Sequence, residues 1–159
     1  GSVVSAGPDR LMGAGRQGVP MIVAPGATDL VDYPAWGQMP ERFAGRASHA
    51  HNRLIASVGI DPDMRRELAR ELASRLRQAQ GPVHLVLPVL GIEEWDRPGA
   101  PLHDAEGLAA LMDECSRCDW GQAEVSRIDA HINDAAFVQQ VLAVFDDWLL
   151  RGLVKKDPP

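Results

Sequence analysis

An α/β fold is what this sequence predicts: a Rossmann-like three-layer domain with a mostly parallel sheet, incomplete at its N-terminal side. Short apolar runs alternate with helical repeats, the pattern of parallel strands joined by helical crossovers. Residues 83–87 are almost wholly apolar, as a strand covered on both faces is. Residues able to bind a metal, a proton or a phosphate fall just after strand-like runs, where open parallel sheets keep their sites.

Residues 3–6 form the first strand candidate, followed by the turn Gly7-Pro8-Asp9 and a short helix over 10–17 ended by Gly18. A second strand over 19–24 closes on Pro25-Gly26, a turn-forming pair. From 28 to 45 the periodicity breaks into Tyr33-Pro34-Ala35-Trp36-Gly37 and Met39-Pro40-Glu41-Arg42-Phe43, and this stretch reads as a long ordered loop. A third strand is expected over 52–58. Asp61 as N-cap and Pro62 at the first helical position then start a helix. In it Met64, Leu68, Leu72 and Leu76 recur every fourth residue until Gly81. After the strand at 83–87 comes a second long loop, 91–104, then a helix over 105–118 through Leu108, Leu111 and Met112. A last strand covers 124–128. Asp134 caps the final helix, whose apolar stripe is Phe137, Val141, Phe145 and Trp148. One domain thus spans 1–152, with 153–159 a flexible tail.

The bulk properties exclude several classes. A chain of 159 residues with 45% apolar content suits one globular domain. Its formal net charge of −6 supplies no basic footprint for a phosphate backbone, so nucleic acid is not an expected partner. No apolar run approaches the roughly 20 residues that span a bilayer, and a signal-peptide start is lacking. The cytoplasm is therefore the expected location, with no membrane partner. A chain opening inside a strand at Ser2-Val3-Val4 is expected to be part of a divided or longer protein, with Gly1-Ser2 a cloning remnant.

Two histidine motifs carry the candidate chemistry. In His49-Ala50-His51 the spacing puts both imidazoles on one face of an extended segment, as a divalent metal pair requires, with Asp29, His131 or Asp134 to complete the site. The same rings suit hydrogen bonding to a substrate or phosphate, or a structural place. Asp129 and His131 share that spacing, so the carboxylate can fix the tautomer of a general base at His131. The alternative is that Asp129 and Asn133 satisfy backbone groups while Asp134 caps the helix. The turns Ser5-Ala6-Gly7-Pro8-Asp9-Arg10 and Ala24-Pro25-Gly26-Ala27-Thr28-Asp29 offer free N–H groups to an anion, and Arg10 can clamp a carboxylate or phosphate. Neither matches a P-loop or a dinucleotide fingerprint. Cys115-Ser116-Arg117-Cys118 lacks the second pair that a zinc site wants. Glu93-Glu94-Trp95-Asp96 is a solvated loop or orders a cation.

Taken in order, Ser5-Ala6-Gly7-Pro8-Asp9-Arg10-Leu11, Gly18-Val19-Pro20, Pro25-Gly26-Ala27-Thr28-Asp29, His51-Asn52, Asp96-Arg97-Pro98-Gly99 and His131-Ile132-Asn133-Asp134 resemble the C-terminal part of the tobamovirus-resistance-protein-like family of ATP-binding proteins. The sequence departs from that pattern at Ala24, Thr28 and the Cys115–Cys118 pair. The resemblance implies a two-domain α/β protein of which this chain is most of the second domain. It implies ATP, with Mg, as ligand, and glycine-rich phosphate-binding segments upstream of Gly1. It also implies Arg10, Asp29, His51, Asn52, Asp96, His131, Asn133 and Asp134 as residues lining the site.

Three functions follow as expectations. The chain contributes polar groups to a small-molecule or nucleotide cleft completed by an N-terminal half or a second subunit, and a homo-oligomer is expected. Alternatively it is a metal-assisted or acid/base hydrolase or lyase, with His49 and His51 as ligands and His131 as base. A third expectation is an interaction module using Tyr33 and Trp36.

Overall fold

The computed structural model describes residues 2–154, so what the sequence suggests for Gly1 and for 155–159 lies outside the described residues. A parallel sheet and helices on both its faces form the expected Rossmann-like α/β arrangement. Its strands are β1 (Met21–Val23), β5 (Val83–Pro88) and β6 (Glu124–Ile128), in the order β1-β5-β6. Met21 lies opposite Val83 and His84 opposite Glu124. Side chains of β5 alternate between two cores, as the period of a strand requires. Val83, Leu85 and Leu87 join Ala69, Ala73 and Leu76 of α2 (Pro62–Leu76) and Leu111, Met112 and Cys115 of α3 (Ala105–Arg117). Val86 instead joins Phe137 and Val141 of α4 (Ala135–Leu150), with Ala130 beside them.

The helices begin where their caps dictate. The Asp61 carboxylate accepts from the Met64 N–H at 2.8 Å, and Asp104 accepts from the Gly107 N–H at 2.8 Å. Each satisfies one of the donors a helix start leaves unpaired. Asp134 departs from expectation. It stands at the N-cap of α4, but its side chain bonds no N–H of that helix and turns back to the preceding loop. Helix α1 (Met12–Arg16) is shorter than the sequence predicts.

Two expectations fail around a second sheet. Residues 28–45 are not irregular: β2 (Leu30–Pro34) pairs antiparallel with β4 (Ile55–Gly59), which also pairs with β3 (Ser48–Ala50). Tyr33, Phe43, Ala56, Val58 and Ile60 pack a small core here, and Leu68 of α2 packs against both this core and the main one. Residues 3–6 form no strand. The Val3 N–H bonds the Asp32 carbonyl at 3.0 Å, while the side chains of Val3 and Val4 are exposed. The strand expected from 52 starts at Ile55, because the Asn52 side chain accepts from the N–H groups of Leu54 and Ile55 at 2.7 and 3.0 Å and closes a turn. No helix among the described residues is long and apolar enough to cross a membrane.

Candidate functional site

Loops leaving the carboxyl ends of β1, β5 and β6 meet at one rim of the parallel sheet. Their backbones are tied together: the Ala27 N–H donates to the Ile92 carbonyl at 2.8 Å, Ile132 to Gly91 at 3.0 Å and Leu90 to Ala130 at 3.1 Å. Each strand end is therefore fixed relative to the next. This is the crevice position at which open α/β sheets bind ligands.

Beneath the rim, His131 is fully buried. Its Nδ1 accepts from the Asn133 N–H at 3.1 Å, so the proton sits on Nε2. Nε2 lies 2.8 Å from Asp96 Oδ1 and 2.9 Å from the Glu93 carbonyl. The other Asp96 oxygen accepts from the N–H groups of Ile92 and Glu93 at 2.5 and 3.2 Å. Gly91 permits the arrangement: its φ is +145°, and a Cβ there would collide with the Asp96 carboxylate and the His131 ring. These contacts correct the expected pairing of His131 with Asp129. Asp129 is exposed and makes no side-chain hydrogen bond among the described residues. Both imidazole nitrogens are engaged by the 91–96 loop and its neighbours, leaving neither free to take a proton from a substrate.

A second buried group lies alongside. Arg65, 2% exposed, reaches Asp29 Oδ2 at 3.0 Å and Asp104 Oδ2 at 3.4 Å. Arg46 bonds the Gly59 and Ile60 carbonyls at 2.6 and 3.0 Å and approaches Asp104 at 3.5 Å. Gly107 leaves room for this, since a Cβ there would fall 2.8 Å from the Arg65 guanidinium carbon. Burial pushes the Asp29 carboxyl upward against the opposing pull of Arg65. Glu93 is 4% exposed, and burial pushes it up to about 7, opposed by the Trp95 N–H that its carboxylate accepts. Asp29 Oδ1 and Glu93 Oε1 are buried with no hydrogen-bond partner.

The remaining predicted residues are spread over the outside of the same loops. His49 and His51 do share a face, and both rings lie against Trp95, with centroids 4.9 and 5.1 Å away. No group of three or more His, Cys, Asp or Glu able to hold a metal occurs among the described residues, so this pair alone does not fit a divalent ion. Asn133 donates to Glu94 at 2.7 Å. Asp134 accepts from the His131 N–H and from Arg97, both at 2.8 Å, and Arg97 draws its carboxyl below the usual range. Arg10 is exposed, and its guanidinium has no partner among the described residues. Cys115 and Cys118 are free, and burial pushes the Cys115 thiol up to about 12, which leaves it unreactive. His51 and His131 thus contact one loop from different sides: the 91–99 segment stands between them, with Trp95 toward His51 and Asp96 toward His131.

Sequence reasoning missed Arg65, Glu93, Asp104 and Trp95 as organising residues. For Arg65 a signal existed. It falls in register with Ala69, Ala73 and Leu76, so a charged residue sits in line with the buried stripe, where it demands a buried partner.

Fold and rim together define an α/β domain whose polar loops are locked at the carboxyl ends of a parallel sheet. The chain belongs to the UPF0261 family: residues 1–149 match the model described as "Uncharacterised protein family (UPF0261) C-terminal domain". It is 51% identical over 156 residues to a UPF0261 protein of Brucella melitensis, covering 98% of this chain and 37% of that protein. It is 32% identical over 148 residues to one of Mesorhizobium japonicum, covering 92% of this chain and 37% of the relative. It is also 26% identical over 152 residues to the ToMV resistance protein Tm-1(GCR237) of Solanum lycopersicum, covering 91% of this chain and 20% of that protein. The resemblance read from the short motifs therefore holds for the family itself, and these matches say nothing of ATP. The chain spans 37% of the length of these bacterial relatives.

Proposed function

We propose that the chain forms one wall of a small-molecule or nucleotide cleft that the rest of the family protein completes, with Mg-ATP the ligand the family resemblance favours. The observation that carries this is the rim itself: three loops from three adjacent parallel strands, tied by the Ala27–Ile92 and Ile132–Gly91 bonds. Rigid loops at strand ends present backbone donors and acceptors at fixed positions, which is what a ligand needs. Most acidic and imidazole groups expected to touch the ligand, namely Asp29, Asp96 and His131, instead brace these loops from below. Arg10, His51 and the outer edge of the 130–134 turn face solvent. Calorimetry with Mg-ATP tests the proposal, using this chain alone and joined to the non-matching N-terminal portion of the Brucella melitensis relative. Binding by the joined protein and none by the chain alone is expected. No binding by either overturns it.

A second function, acid–base catalysis, is favoured by Glu93. Burial raises its carboxyl to about 7, and one of its oxygens is buried without a hydrogen-bond partner, the kind of perturbed carboxyl that proton transfer uses. On this alternative Glu93, not His131, moves the proton, and Glu93→Gln abolishes turnover while His131 variants act through stability.

A further inference from the structure

Away from the His131 clasp, a cleft of about 250 Å³ opens beside the carboxyl end of β1. Its wall is apolar, made by Leu11, Val23, Pro25, Leu68 and Leu72, and Arg10 stands at its mouth. Arg75 also borders it but is committed. It pairs with Glu71 at 2.7 Å and donates to the Pro8 and Arg10 carbonyls at 2.7 and 3.0 Å, which holds the 8–10 turn in place over the opening. The Arg75 and Glu71 charges offset each other, so one unpaired guanidinium remains.

The backbone on both sides is held in an uncommon conformation. Leu11 at φ +69° and Ala27 at φ +52° are the non-glycine residues with positive φ among the described residues. Both belong to the loops that frame this cleft. Leucine rarely adopts the left-handed region, and here both Leu11 and Arg10 line the cleft.

We propose that this cleft binds a small monocarboxylate with an apolar body, its carboxylate on Arg10 and its hydrocarbon or ring against Leu11, Pro25, Leu68 and Leu72. Charge and size select that class. A single guanidinium matches one carboxylate through its two-pronged donor face, whereas a nucleoside di- or triphosphate presents several charges to one cation beside Glu71. The cleft is smaller than the roughly 300–1,000 Å³ of drug-sized sites, which suits a ligand of one or two rings or a medium chain. The residues named all belong to this chain, with the 24–28 edge shared with the β1 loop of the rim, and the test below involves no nucleotide.

The test uses 1-naphthoate and its neutral analogue 1-naphthamide, titrated calorimetrically into the chain, into Arg10→Gln and into Leu72→Trp. Naphthoate is expected to bind the unaltered chain more tightly than the amide. Arg10→Gln, a change at an exposed side chain, is expected to weaken naphthoate roughly tenfold, the size of a lost charge-assisted hydrogen bond, and to leave the amide unchanged. Leu72→Trp fills the cleft and is expected to abolish both while thermal unfolding remains cooperative. Absence of naphthoate binding to the unaltered chain overturns the proposal. So does an Arg10→Gln variant that leaves naphthoate unaffected or weakens acid and amide equally.

Discussion

His131→Leu decides whether the imidazole is a reactive group or a brace. The substitution removes the Nε2 donor that meets Asp96 at 2.8 Å and the Glu93 carbonyl at 2.9 Å, and the Nδ1 acceptor that meets the Asn133 N–H at 3.1 Å. Two consequences dominate. Asp96, 7% exposed, keeps its negative charge with one oxygen no longer bonded, and the Asn133 N–H loses its acceptor. A buried group left unsatisfied costs about 1–3 kcal/mol, more when charged, so the expected loss is about 3–5 kcal/mol. That is a large share of the roughly 5–15 kcal/mol that holds a domain together, and it corresponds to a fall in Tm of roughly 6–20 °C for a chain of this size. The assay is urea and thermal unfolding followed by far-UV circular dichroism, with Asp129→Ala alongside. Asp129 is exposed and unbonded, so its removal is expected to change stability by about 0.5 kcal/mol or less. If His131→Leu unfolds within about 1 kcal/mol of the unaltered chain, or if Asp129→Ala costs as much as His131→Leu, the brace is refuted and the imidazole is free for other work.

Gly91→Ala places a methyl group against the Asp96 carboxylate and the His131 ring at a φ of +145°, and is expected to cost about 3 kcal/mol or more. Gly99→Ala, at φ +85° with open space around it, is expected to cost only about 1 kcal/mol in the same unfolding assay. Arg65→Met leaves Asp29, 1% exposed, as an unpaired buried carboxylate and is expected to cost about 3–5 kcal/mol. Adding Asp29→Asn should recover part of that loss, and a double variant no more stable than Arg65→Met alone would contradict the pairing. Glu93 gives a pH signature. Its carboxyl is raised from an ordinary 4.5 to about 7 in the folded chain, so the folded state holds more protons than the unfolded one between those values. Stability from this group is therefore present below about 4.5 and is lost as pH rises through about 7. Glu93→Gln is expected to flatten that slope and to raise stability at pH above 7, measured as the urea midpoint across pH.

Periodicity exposed the elements whose burial is written along one run of sequence. The 83–87 segment is almost wholly apolar because helices cover both faces of its sheet, and the start of α2 is marked by an aspartate and a proline with one geometric consequence each. The antiparallel sheet left no such trace. Its β2 strand reads Leu-Val-Asp-Tyr-Pro, and the polar Asp32 is acceptable there because Ser57 and Ser2 donate to its carboxylate at 2.6 and 3.0 Å. Those partners are 25 and 30 residues away, so no local window contains the reason for the strand. The site residues divide the same way. His49 and His51 could be placed on one face by spacing alone, but Trp95, which they contact, lies on a distant loop. Asp129 was favoured as the partner of His131 by nearness in sequence, whereas Asp96 holds the ring from 35 residues away.

The loop at 91–99 gathers several of the motif residues around it. It is joined to the β1 loop through Ile92, to β6 and its turn through Gly91, Glu93 and Asp96, and to β3 through Trp95 against His49 and His51. One segment therefore couples the parallel sheet to the antiparallel one. Its N–H groups are accepted by carboxylates of the loop itself, Asp96 from Ile92 and Glu93, and Glu93 from Trp95, while Arg65 pairs with Asp29 and Asp104. Burial chiefly, with smaller pushes from the Asp29 and Asp96 carboxylates, raises Glu93 to about 7 against the opposing Trp95 N–H and Arg65. A sequence rich in histidine, aspartate and asparagine at strand ends is thus compatible with a rim whose charged groups chiefly fix backbone positions. In the cleft proposed above, ligand contacts would then fall to the exposed backbone of the turns.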